Sequence, residues 1–323
     1  MKQQTFAAVA GSALLVPVLV SAGTAEYLTR AAVDREPPRS FARRREKEKE
    51  VPDPALGSAR ERLRQSPHLP VEIRAYDGTL LAGHWFPHPD AKRVIVALHG
   101  WRSHWYRDFG AISEFWKEQG CSVLYVEQRA HDASGGQYMT YGAVERYDCQ
   151  AWLRWVCKQC GIKLPIYLAG VSMGATTVLM AGALSLPGNV RGIVADCGFT
   201  SADEIWCHLA RDSLHMPYRM VRRFANAKYL RRTGQTSALS TVDALKNCRL
   251  PVLLIHGDAD DFVPPEMSRR NEKACAGQKR LVMVPGAGHG MSSFVGKELY
   301  EQELLAFWAA YDADSGEPGQ QPV

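Results

Sequence analysis

The sequence predicts an α/β domain: a mostly parallel sheet flanked by helices, with a helical cap inserted late in the chain. Three observations predict it. Short apolar runs of strand length alternate with stretches of helical length, which implies βαβ units and therefore parallel strands. Gly170-Val171-Ser172-Met173-Gly174 lies between an apolar run and an Ala/Thr/Leu-rich stretch, where a strand passes directly into a helix. Residues 200–248 carry helical patterning and no strand, too long for an ordinary connection, and are read as a cap over the strand ends.

Element by element, residues 71–76 and 80–86 flank Asp77-Gly78 and read as a hairpin. A buried strand follows at 94–98, a helix at 107–119, a strand at 122–126 and a long helix at 141–159. Val144, Ala151, Trp152, Trp155 and Val156 give that helix its core face. The alternation continues through a strand at 166–169, a helix at 173–186 and a strand at 190–195. After the cap come a strand at 252–255, a helix at 265–275, a strand at 281–284 and a helix at 294–308. The domain proper is thus 71–312, and 313–323 is read as a flexible tail.

The N-terminal part differs in character. Residues 6–20 carry no charge, so 1–25 reads as a membrane anchor or a signal segment. Val20-Ser21-Ala22 is an acceptable cleavage site. Downstream, however, Arg30, Arg35, Arg39 and Arg43 to Arg45 outweigh Lys2, which favours a retained anchor with the domain on the cytoplasmic side. The alternative is secretion after cleavage. Residues 26–70 read as a charged linker. Residues 28–64 hold 11 Lys/Arg against 7 Asp/Glu, so most of the net charge of +5 lies outside the domain and nothing suggests a nucleic-acid partner. The eight cysteines fall mainly in core elements, which points to a reducing compartment rather than a disulfide framework; Cys157 and Cys160, near a helix end with no second pair, are read as structural. In the cap, Met216, Met220, Val221, Phe224 and Ala225 suggest an apolar face ringed by arginines, either resting on a membrane surface or forming a lid with a solvated basic face.

The chemistry centres on Ser172. Glycines on both sides remove side chains that would collide in a strand-to-helix turn, and helix N-terminal N–H groups can stabilise an oxyanion. A hydroxyl needs a base, and the base an orienting acid. His289, in Gly286-Ala-Gly-His289-Gly290 after the last strand, is the candidate base. For the acid, Asp258, Asp260, Asp261 and Asp196 all follow strands and fit the chain order Ser…Asp…His. The oxyanion donors are expected to be the N–H groups of Met173 and Trp101, the latter after His99-Gly100. His99 itself is read as structural. Trp101, Trp105, Tyr106 and Trp206 are candidates for an acyl pocket.

Together these motifs resemble the α/β-hydrolase superfamily over roughly residues 71–310. The resemblance is to the branch holding serine-aminopeptidase-like and monoacylglycerol-lipase-like hydrolases, of an N-terminally anchored bacterial type. It is carried by His99-Gly100, Gly170 to Gly174, His256-Gly257 through Val263-Pro264, and Gly286 to His289. It implies the α/β-hydrolase fold, Asp260 as the acid, and no metal or organic cofactor. Where relatives read Asp-x-Arg-Gly-His-Gly-x-Ser, this chain reads Glu127-Gln-Arg129-Ala-His131-Asp-Ala-Ser134, a departure that touches the pocket rather than the triad. The expectation is a serine hydrolase acting on a small acyl ester or lipid-like substrate. A peptidase or amidase of the same fold, using Glu127 or Glu204 to hold a substrate ammonium, is the alternative within the class. A non-catalytic, membrane-tethered binding module is the alternative outside it.

Overall fold

The computed structural model describes residues 20–47, 53–213 and 218–312. Eight strands form one sheet: β1 (Leu69–Arg74), β2 (Leu80–Phe86), β3 (Arg93–Leu98), β4 (Cys121–Val126), β5 (Ile166–Val171), β6 (Val190–Asp196), β7 (Val252–Gly257) and β8 (Lys279–Val284). Their spatial order is β1-β2-β4-β3-β5-β6-β7-β8. The expected hairpin β1–β2 is antiparallel and meets β4 antiparallel; every other pairing is parallel.

Side-chain alternation divides the core between the two faces of the sheet. In β3, Val94, Val96 and Leu98 face α5 (Glu145–Cys160) and α6 (Met173–Ala181), packing with Trp152 and Val178. Ile95 and Ala97 face α4 (Trp105–Glu118) and α12 (Lys297–Tyr311), packing with Trp116 and Trp308. Burial on both faces explains why these strands read as continuous apolar runs. The remaining helices of the domain are α10 (Pro265–Ala274) after β7 and α11 (Ser292–Val295) before α12.

Several helices differ from their expected bounds, and the last one expected, 294–308, is broken at Gly296 into α11 and α12. The segment after Ser172 stops at Ala181, where Gly182 sits tightly against Cys248 and Ile193. The long helix begins at Glu145, because Tyr141 and Gly142 adopt positive φ of 55° and 93° that no helix accommodates.

Among its described residues the cap has no strand, as expected, and comprises α7 (Ala202–His208), a π-helical turn (Leu209–Ser213), α8 (Tyr218–Thr233) and α9 (Thr241–Leu245). One face of α8 turns inward: Val221, Ala225 and Tyr229 are buried with Phe224 half-buried beside them, while Leu230 is exposed and Arg222 pairs with Asp203. Met216 lies outside the described residues, as do the side chain of Met220 and the 313–323 tail.

The stretch expected to be a charged linker is largely helical and packed. A helix whose described part spans residues 20–33 (α1) buries Ala25, Thr29, Ala31 and Val33. It is followed by α2 (Arg39–Lys47) and α3 (Pro54–Gln65). Asp53 caps α3 by accepting the Ala55 N–H at 2.8 Å. Leu56 and Leu63 are buried, and Gly110 of α4 gives the backbone of Arg60 room to approach. In α3 the charged Glu61, Arg62 and Arg64 are exposed while Leu56 and Leu63 face inward, so charge there is the solvent side of a packed helix. The expected membrane segment falls mostly on residues 1–19, outside the description; among the described residues no helix is long and apolar enough to cross a membrane.

Candidate active site

Ser172 is the single residue between β5 and α6. Its φ of +55° with ψ of −113° is a conformation that side chains rarely adopt, and it turns the hydroxyl out over the strand ends. Backbone contact imposes the turn. A Cβ on Gly174 would lie 1.9 Å from the Leu98 carbonyl oxygen, and one on Gly170 would lie 2.3 Å from the Gly174 carbonyl carbon. Ser172 N–H donates to the Asp196 carbonyl at 2.9 Å, and the Ser172 carbonyl accepts from Thr176 N–H to start the helix.

The loops after β7 and β8 meet behind it. Gly257 touches Ala287 backbone, Asp258 N–H donates to Val284 O and Ala259 N–H to Ala287 O. This contact brings His289 and Asp260 together: His289 Nδ1 donates to Asp260 Oδ2 at 2.7 Å, while its Nε2 lies 3.0 Å from Ser172 Oγ. The hydroxyl, imidazole and carboxylate therefore form one hydrogen-bonded file.

Among the four aspartates, only Asp260 reaches the imidazole in this way. Asp258 caps the histidine loop by accepting Gly286 N–H at 2.7 Å, and Asp261 is exposed. Asp196 is fully buried and accepts from Ser292 Oγ at 2.8 Å. Burial pushes its carboxyl up to about 6, the opposite of what an acid holding an imidazolium needs. Burial opposes ionisation of Asp260 as well. There, hydrogen bonds from His256 and His289, with N–H groups of Phe262 and Val263, outweigh it and hold the carboxyl well below the usual carboxylate range. His256 is a supporting residue that the sequence reading did not single out, although it begins the motif containing Asp260. It is buried and fixed by Ser268 Oγ and the Val263 carbonyl.

Gly100 packs against Ser172: a Cβ there would lie 3.3 Å from Ser172 Cβ. Asp108 ties this loop by accepting Gly100 N–H at 2.7 Å and the Ser103 hydroxyl at 2.5 Å. Trp101 follows Gly100, and Met173 opens α6. His99 is structural, as expected: Gln128 N–H donates to its Nε2 and its Nδ1 donates to the Gly100 carbonyl.

An open cavity adjoins Ser172 and is almost wholly apolar. Of the four aromatics expected to line it, Trp101 and Trp206 do. Trp105 instead stacks on His84 and packs with Tyr125, and Tyr106 stacks on His104, because the start of α4 faces the other side of the sheet. Tyr141, Phe199 and Phe262 complete the loop side, with Ile205, Leu209, Ala210 and Ala225 from the cap. Leu28, Thr29, Ala31 and Ala32 of α1 and Phe41 of α2 form the remainder. Neither Glu127 nor Glu204 reaches the cavity. Glu127 is buried against His84 and Ala133 N–H, and Glu204 binds Arg270 and Thr200.

Among the described residues, one group of three potential metal-binding atoms lies within 4.8 Å: Cys197, Asp260 and His289. Asp260 and His289 already bond each other, and Cys197 is buried behind them. The set fits packing behind the file better than a metal site.

A family model described as the alpha/beta hydrolase family matches residues 95–301. The chain belongs to the alpha/beta hydrolase family. Among its relatives is the uncharacterized protein YqkD of Bacillus subtilis, 26% identical over 237 residues, which are 72% of this chain and 76% of that one. A solved structure of the Pyrococcus furiosus esterase Pf2001 superposes with a TM-score of 0.62 at 24% identity, covering 76% of this chain and 93% of that one. Est1E from Butyrivibrio proteoclasticus, solved with bound ferulic acid, gives 0.57 at 21% identity, covering 75% and 98%. At these identities the structural likenesses establish the fold alone. For this alpha/beta hydrolase, the sheet order and the serine turn agree with the family assignment.

Proposed function

We propose that the protein is a serine hydrolase that cleaves carboxylic esters through an acyl-enzyme. Ser172 Oγ attacks the acyl carbon while its proton passes to His289 Nε2. Asp260 keeps the other ring nitrogen protonated and offsets the imidazolium charge. The N–H groups of Met173 and Trp101 hold the tetrahedral oxyanion. Collapse of the tetrahedral species breaks the bond to the alkoxy oxygen, which takes the proton from His289. Water then attacks the acyl-enzyme by the same steps and releases the acid.

The observation that carries this reading is the Ser172–His289–Asp260 file, with contacts of 3.0 and 2.7 Å. An apolar cavity beside the hydroxyl suits an acyl group, and one structural neighbour is named an esterase. The peptidase alternative has less support, because the two carboxylates considered for binding a substrate ammonium are both engaged away from the cavity. The experiment is labelling with a fluorophosphonate probe. Wild type is expected to label and Ser172→Ala to remain unlabelled. Equal labelling of both proteins removes Ser172 from the role of nucleophile.

A further inference from the structure

We propose that residues 28–41 are part of the substrate site: the end of α1 and Phe41 form one wall of the acyl pocket and set the length of acyl chain it admits. The proposal rests on the ester-hydrolase reading above and extends it to specificity.

Two observations carry it. The first is position. Leu28, Ala31, Ala32 and Phe41 line the cavity that holds Ser172, although they lie outside the sheet-and-cap unit. An acyl chain lying against these apolar residues is transferred out of water, which favours its binding.

The second is anchorage. The last four carbonyls of a helix lack partners within it. Here Trp101 Nε1 donates to the Ala32 carbonyl at 2.7 Å, and Tyr141 Oη donates to the same oxygen at 3.1 Å. The Arg102 guanidinium donates to the carbonyls of Ala31, Asp34 and Arg35. Backbone bonds from Met139 N–H to Val33 O and from Arg35 N–H to Gln137 O, both 2.8 Å, continue the attachment. On the cap side, Glu26 pairs with Lys228 at 2.7 Å and with Arg232, which also reaches Asp34 at 2.9 Å. The segment is thus fixed to the Gly100–Trp101 loop, to the 137–141 loop and to α8. A wall held this way is in place before substrate arrives, so little ordering entropy opposes binding. Trp101 joins the two functions: its indole holds the wall and its backbone N–H is the assigned oxyanion donor.

The test compares kcat/KM for p-nitrophenyl acetate, butyrate, octanoate and dodecanoate in the full-length wild type, Leu28→Trp and Phe41→Ala, with Ser172→Ala as the control. Filling the pocket with Leu28→Trp is expected to lower the dodecanoate-to-acetate ratio by about tenfold, and opening it with Phe41→Ala to raise that ratio by about threefold. Ratios equal to wild type in both variants, with thermal midpoints preserved, overturn the proposal. Calorimetric titration with decanoate supplies a readout that needs no turnover. Affinity at least fivefold weaker in Leu28→Trp supports the wall, and unchanged affinity refutes it. Esterase activity retained by Ser172→Ala would instead remove the catalytic reading, leaving the decanoate result to judge the wall.

Discussion

Ser172, Asp260 and His289 stand on loops that leave β5, β7 and β8 at the same edge of the sheet, whereas much of the pocket they face is walled by residues 28–41 and the cap. In the first region, backbone dictates position. Gly170, Gly174 and Gly257 touch neighbouring main chain so closely that no side chain fits, and parallel pairing fixes where each loop begins. In the second region, position comes from side chains bonding across long stretches of sequence, such as Glu26 with Lys228 and Arg102 with the end of α1. Chemistry is therefore placed by rigid geometry, and substrate shape by packing that tolerates change.

The largest effect expected from this contrast is at the file itself. Asp260→Asn keeps the shape of the side chain but loses the charge that offsets the imidazolium, so kcat should fall by about 10³- to 10⁴-fold with little change in KM. Steady-state kinetics on an ester that wild type hydrolyses checks this, and a loss below tenfold would mean that another carboxylate takes its place. Arg102→Met cuts the main tie between the Trp101 loop and α1, and should cost less than about tenfold in kcat/KM. A loss approaching that of Asp260→Asn would break the comparison, because residues 28–41 would then belong to the catalytic apparatus.

A smaller effect concerns stability. The Asp196 carboxyl, ordinarily at 3.8, is raised to about 6 by burial. Between these values the folded state binds more protons than the unfolded one, so stability falls as pH rises through the window. Above pH 6 the buried charge costs at most about 3 kcal/mol. Asp196→Asn removes that cost and should raise Tm by a few degrees at pH 8, with the margin closing toward pH 4. An equal margin at both pH values would show that titration of Asp196 is not its source.

The same contrast explains what the sequence makes legible. The serine turn, and Gly257 ahead of Asp260, carry glycines where main chain meets main chain, and such contacts leave a local signature. The four aspartates are equivalent as residues after strands; family resemblance points to Asp260, and the bond to His289 Nδ1 distinguishes it geometrically. Leu28 and Phe41 left no comparable signal. Charged residues are interspersed around them, and the aromatics with which they line the cavity, Trp101 and Tyr141, lie far along the chain. Trp105 and Tyr106 lie away from the cavity for a related reason: nearness in sequence to Trp101 does not fix which side of the sheet the first turn of α4 faces.

The most direct measurement of the central claim is a rapid acid quench of the enzyme turning over p-nitrophenyl butyrate, followed by peptide mass analysis. The account predicts a butyryl adduct on the peptide containing Ser172, accumulating in step with a burst of p-nitrophenol wherever deacylation is the slower step, and absent from Ser172→Ala. Turnover that persists in Ser172→Ala, or an adduct mapped to any other residue, would contradict it.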